Sequence, residues 1–174
     1  TTASGGKENL AIGYLTSEAR PNTIAAPEPL SEENQLLCRF ANLLNQYTGK
    51  EKHKQMAEIA MRYLSTPEVL NERKVLVAGT LIPDFELSHP PAHFTVVGSK
   101  SDAPTKELYM TVLKSPTIYR RVDWLDKNGT PVPNLEVDFP DLGKPAVFMC
   151  LGSRCSTPAY QPSDLAKLIE RLAK

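Results

Sequence analysis

The chain has 174 residues, 41% hydrophobic and 23% charged, enough to bury one good core or two small ones, and this composition excludes disorder throughout. Lys plus Arg and Asp plus Glu are both 20, so no global charge argues for nucleic acid or an anionic membrane as partner. The longest apolar stretches, such as Val75 to Pro83, fall well short of the roughly 20 residues a membrane span needs.

Thr1 to Gly6 is small and polar, and Leu10 to Leu15 is briefly apolar before Pro21, Pro27 and Pro29 force an extended crossing. Residues 1–30 therefore read as an extended lead-in. No basic n-region with an apolar h-region opens the chain, so a signal peptide is absent, was removed, or the chain was cut from something longer. From Ser31 as N-cap, with Glu32 and Glu33 in the first turn, Leu36, Leu37, Phe40, Leu43, Leu44 and Tyr47 recur at helical spacing until Gly49. Met56, Ile59, Ala60, Tyr63 and Leu64 mark a second helix that stops at Thr66-Pro67, completing an αα-hairpin. A third helical segment runs from about Val69 to Ile82, where Leu70, Val77 and Leu81 keep the period before Pro83. Residues 31–88 thus form a helical hairpin segment.

At His93 the pattern changes. Phe94-Thr95-Val96-Val97-Gly98 reads as a strand, Pro104 to Leu113 as a short helix, and Thr117 to Leu125 as a second strand, making a βαβ unit. Asp126-Lys127-Asn128-Gly129 is a turn signal, and Thr130 to Gly143, with its three prolines, reads as loop with at most an edge strand. Ala146 to Leu151 is a short apolar run bounded by Pro145 and Gly152, the pattern of a strand covered on both faces. Leu165, Leu168, Ile169 and Leu172 then place one apolar stripe on a closing helix, with Ser163 as N-cap and Asp164 in its first turn. The expectation is an α/β protein: helical hairpins packed beside a small, mostly parallel sheet of β-α-β-β-α order. Residues 89–174 form its α/β segment and make one compact unit with the helices. The strands 94–97 and 146–150 are expected side by side and parallel, with the last helix over the second of them.

A linked series carries a resemblance. Gly13-Tyr14-Leu15-Thr16-Ser17-Glu18, Arg20-Pro21-Asn22, the helix end Tyr47-Thr48-Gly49, Ala57-Glu58, Phe94 to Gly98, and Val147-Phe148-Met149-Cys150 with Cys155 and Pro158 occur in that order over residues 10–174. The series resembles the C-terminal part of the spermatogenesis-associated, thioredoxin-domain-containing proteins, which carry a thioredoxin-like domain followed by an (α/α)6 barrel similar to sugar epimerases and glycosidases. The resemblance implies that the chain is a fragment holding the last hairpins of that barrel and an α/β tail. It also implies a non-catalytic structural or interaction role, with the rest of its own protein or a second copy as partner. The family's Pro-Ser-Gly-Asn-Ser stands here as Pro29-Leu30-Ser31-Glu32-Glu33-Asn34, so no sugar site is read at this helix start. Epimerase or glycosidase chemistry, which would need the other hairpins, ranks last.

For chemistry of the chain's own, Cys150 and Cys155 lead. A strand end and the loop after it would lie at the carboxyl edge of a parallel sheet, where open α/β sheets place ligands. Five residues of separation let the loop double back to bring the sulfurs within bonding reach, and Arg154 can lower the pKa of Cys155. That is the alternative function, a thiol-disulfide oxidoreductase or redox sensor. Against it stand the missing Cys-X-X-Cys and the frequent burial of Cys as plain packing. Three cysteines do not fix a compartment, with the cytoplasm preferred to periplasm or secretion. Cys38, among Leu36, Leu37 and Phe40, is core rather than nucleophile. His53, His89 and His93 are too scattered for zinc, so no metal and no cofactor is expected. Gly98-Ser99-Lys100-Ser101 lacks Walker spacing and reads as a solvated βα loop; Glu32, Glu33, Asp102 and Asp138 read as helix-start and loop charges. Trp124, Tyr47 and Tyr63 read as core or half-buried anchors.

Overall fold

A computed structural model of the chain describes residues 13–15, 28–73, 77–135 and 137–172, with only the backbone at 73, 171 and 172. The chain divides into two compact units, one of residues 1–45 and 50–89, the other of 46–49 and 90–174. The first holds helices α1 (Ser31–Thr48, apart from its last turn), α2 (Glu51–Leu64), α3 (Pro67–Arg73) and α4 (Ala78–Ser88). The second holds β1 (Ala92–Val97), α5 (Ala103–Leu113), β2 (Arg120–Leu125), β3 (Ala146–Leu151), β4 (Arg154–Cys155) and α6 (Pro162–Leu172). Among the described residues these six helices and one four-stranded sheet make an α/β protein.

In the first unit, small residues let helices approach: Cys38 and Ala41 of α1 pack on Ala57, Ala60 and Leu64 of α2, all at most 1% exposed. The start of α1 differs from expectation. The carbonyl of Leu30 accepts the N–H of Asn34 at 3.1 Å, so Ser31 is the first helical residue and not the cap. The expected third helix, Val69 to Ile82, is two helices, and the second runs straight through Pro83. Proline removes one intrahelical donor and crowds the preceding turn. Contacts beyond it hold the helix: the buried Glu86 carboxylate receives Arg39 Nε at 2.9 Å and Nη2 at 2.8 Å, and Asn42 Nδ2 donates to the Glu86 carbonyl at 2.8 Å.

The sheet order is β2-β1-β3-β4. β1 and β2 are parallel, Ala92 facing Arg120 and Val97 facing Leu125. β3 is antiparallel to β1, Ala92 facing Leu151 and Val97 facing Ala146, so the sheet is mixed and the expected parallel pairing is wrong. The reason lies in the connection. The described residues of 126–145 contain no helix, and a chain leaving the end of β2 without a crossover re-enters beside β1 from the same edge. One face of the sheet (Phe94, Val96, Val147, Met149) is covered by Leu108 and Val112 of α5 and by Leu165 of α6. Leu165 is fully buried, Leu168 and Ile169 only partly, and the Leu172 side chain lies outside the described residues. α6 starts earlier than expected: the Gln161 carbonyl accepts the N–H groups of Asp164 and Leu165, which makes Pro162 the first helical residue and removes Ser163 from the cap. The other face carries Val97, Ala146, Phe148 and Cys150 against Phe139, together with a polar group built on His93, Thr95, Arg121 and Asp123.

Candidate functional site: a disulfide hairpin beside a buried ion cluster

Cys150 and Cys155 form a disulfide across the β3–β4 hairpin, where they stand directly opposite each other. The turn between the strands depends on Gly152, whose φ of 56° suits the first central position of a two-residue hairpin turn. Cys150 is 3% exposed and packs in the core with Phe148, whereas Cys155 and Arg154 are exposed. The hairpin is also held without the sulfurs. Ser156 N–H donates to the Met149 carbonyl at 2.8 Å, and Val147 and Ala159 exchange two bonds of 2.8 Å.

Because β3 runs antiparallel, its end lies beside the start of β1. The disulfide therefore sits at the edge opposite the carboxyl ends of β1 and β2, and the position argued for it from a parallel sheet does not hold. What lies near it instead is His93, the direct cross-strand neighbour of Cys150. His93 Nε2 is 2.8 Å from Asp123 Oδ2, Thr95 Oγ1 is 3.3 Å from the same ring nitrogen, and Arg121 Nε is 2.7 Å from the same carboxylate oxygen. That Arg121 contact is close but its N–H is poorly aimed, for Nε has no aligned acceptor. The other guanidinium nitrogens are anchored, Nη1 to the Gln46 carbonyl at 2.6 Å and Nη2 to the Pro133 carbonyl at 3.1 Å. Tyr47 accepts the Val122 N–H at 2.9 Å and places its ring under the guanidinium, 5.5 Å from its centroid.

At the carboxyl ends of β1 and β2 there is an open cleft of about 460 Å³ lined by Gly98, Asp102, Asp126, Lys127, Asp141 and Lys144 among others. Its polar groups are largely engaged with each other. Asp126 accepts the backbone N–H of Lys100 at 2.8 Å and of Asn128 at 3.0 Å, the Lys100 bond first among the causes that hold its carboxyl below the usual range. The Gly143 N–H and then Lys127 lower Asp141 likewise. Asp102 caps α5 through the Thr105 N–H at 3.1 Å. The Gly98-Ser99-Lys100-Ser101 loop thus turns the Lys100 amide to a carboxylate of its own chain.

The remaining expected residues are dispersed. Cys38 is fully buried, and burial first, then Glu86 and Asp84, pushes its thiol up to about 12. Glu32 and Glu33 stay in the first turn of α1, and Asp138 is exposed. Among the described residues no group of three or more His, Cys, Asp or Glu side chains is placed to hold a metal ion. Trp124 Nε1 donates to the Gly98 carbonyl at 3.0 Å, and Tyr63 Oη donates to the Pro29 carbonyl at 2.6 Å. No described helix is long and apolar enough to cross a membrane. The sequence reading missed the His93–Asp123–Arg121 cluster. Its one signal was polar residues at alternate positions of strands otherwise rich in β formers.

Comparison of the chain with protein-family models, with curated proteins and with solved structures gives no match.

Proposed function

We propose that the chain is a non-catalytic structural and interaction domain of a larger thioredoxin-domain-containing protein, its helices the closing hairpins of an (α/α)6-type barrel. One observation carries the reading. Leu36 and Phe40, one turn apart on α1, are 67% and 64% exposed, and Leu81 and Phe85, one turn apart on α4, are 59% and 54% exposed. Large apolar side chains grouped in this way on two helices joined by the Arg39–Glu86 ion pair mark an interaction surface. The occupant is a second copy of the chain, since a net charge of zero puts no overall repulsion between copies. Sedimentation velocity over a concentration series tests it. The wild-type chain associates, and the double variant Leu36→Glu, Phe40→Glu stays monomeric; a wild type that is monomeric at millimolar concentration rejects the reading.

A second reading, thiol-disulfide exchange, is favoured by the exposed position of Cys155 in a bonded pair with Cys150. Native treatment with a thiol followed by alkylation and mass measurement tests it; a pair that opens only after denaturation is a structural staple.

A further inference from the structure

We propose that the Cys150–Cys155 disulfide is a directional exchange site for small anionic thiols, with Cys155 as the sulfur attacked, Cys150 as the leaving thiolate and Arg154, on the opposite face of the same short strand, as a charge that draws the incoming anion. The proposal rests on the thiol-disulfide reading and adds to it a direction and a co-reactant.

Direction follows from access. A thiolate must approach along the S–S axis, and only Cys155 is open to solvent, Cys150 being 3% exposed beneath the hairpin. Attack at Cys155 forms a mixed disulfide there, breaks the Cys150–Cys155 bond and leaves the electron pair on Cys150. That thiolate emerges directly across the strand pair from His93, which shares one Asp123 oxygen with Arg121. Cys150 itself belongs to an apolar cluster that includes Phe148 and Phe139. A second thiolate then attacks the outer sulfur of the mixed disulfide and frees Cys155. Two thiols have become one disulfide, and the protein pair has taken up the two electrons.

The co-reactant follows from charge. Arg154 adjoins Cys155, is exposed, and among the described residues no carboxylate pairs with it. A guanidinium of this kind draws a thiol that carries carboxylates and does little for a neutral one. The bonds that hold segment 156–159 to β3 independently of the sulfurs keep the two cysteines opposed after reduction, so the exchange is reversible.

The test compares glutathione with 2-mercaptoethanol on the native wild-type chain at equal thiolate concentration. Samples are quenched in acid, alkylated and weighed, and trypsin, cutting after Arg154, separates the two cysteines so that each adduct is assigned. The glutathione adduct is expected on Cys155. Arg154→Gln is expected to slow glutathione by about threefold to tenfold, the size of one screened charge contact, and 2-mercaptoethanol by no more than about twofold. As a cross-check, Cys150→Ser should form a stable mixed disulfide with oxidised glutathione and Cys155→Ser should not. An adduct on Cys150 overturns the direction while leaving thiol exchange standing, and equal slowing of both thiols overturns the anionic preference. A native disulfide inert to both thiols ends the thiol-disulfide reading itself.

Discussion

Asn34 is a side chain with no solvent exposure that makes three bonds to backbone. Its Nδ2 donates to the carbonyls of Leu30 at 2.9 Å and Tyr14 at 3.0 Å, and its Oδ1 accepts the Tyr14 N–H at 2.8 Å. Asn34→Ala removes these bonds from the Tyr14 N–H and carbonyl, while the Leu30 carbonyl keeps the backbone N–H of residue 34, and should cost about 1–3 kcal/mol, read from the denaturation midpoint. At Cys38 the elevated thiol pKa means that almost no thiolate exists at pH 8. Iodoacetamide should label it many-fold more slowly in the native chain than after denaturation, and equal rates would show that α1 and α2 do not enclose it. Asp126 sets an acid limit. Its folded pKa lies below the ordinary value of 3.8, so the stability it contributes is present above that value and is lost as pH falls through the lowered one. The protection of the Lys100 amide, measured against an unfolded amide at the same pH, should therefore hold at pH 5 and be lost only below pH 3.8.

Among the described side chains of α6, Leu165 is the one that is fully buried. Leu165→Ala should cost about 2–5 kcal/mol as a large-to-small change at a fully buried site, and the exposed Lys167→Ala almost nothing. Equal midpoints would mean that the helix does not cover Val147 and Met149. The stripe Leu165, Leu168, Ile169 was readable because a helix repeats its pattern every turn, as were α1 and α2. Strand direction was not: Ala146 to Leu151 is apolar whichever way it runs, and only the helix-free stretch before it signals the antiparallel pairing. Pro83 misled for a related reason, since local grammar ends a helix there while Arg39, 47 residues away in sequence from Glu86, extends it. The hairpin partners Cys150 and Cys155 were visible from spacing, but His93 and Asp123 meet only through the β1–β2 register, which no local pattern encodes. For the β3–β4 hairpin, Cys150→Ser with Cys155→Ser should cost only about 2 kcal/mol in thermal denaturation, the low end for a disulfide, because the closed loop is short.

At the scale of the whole molecule, the second unit is discontinuous along the chain, since it includes residues 46–49 as well as 90–174. No single cleavage can therefore release it intact. A polypeptide beginning at Pro90 would keep all four strands and both covering helices, yet it would lack the Gln46 carbonyl that receives Arg121 and Asn134, and the Tyr47 hydroxyl that receives the Val122 amide. Arg121, 3% exposed in the intact chain, would keep the Pro133 carbonyl but lose the Gln46 carbonyl and the Tyr47 ring. Trp124, three residues along the same strand, offers a fluorescent reporter of that loss. Supplying a separate peptide that ends at Lys50 should restore its emission in trans, in the manner of enzyme fragment complementation, and substituting Tyr47 by Phe in the peptide should weaken the rescue.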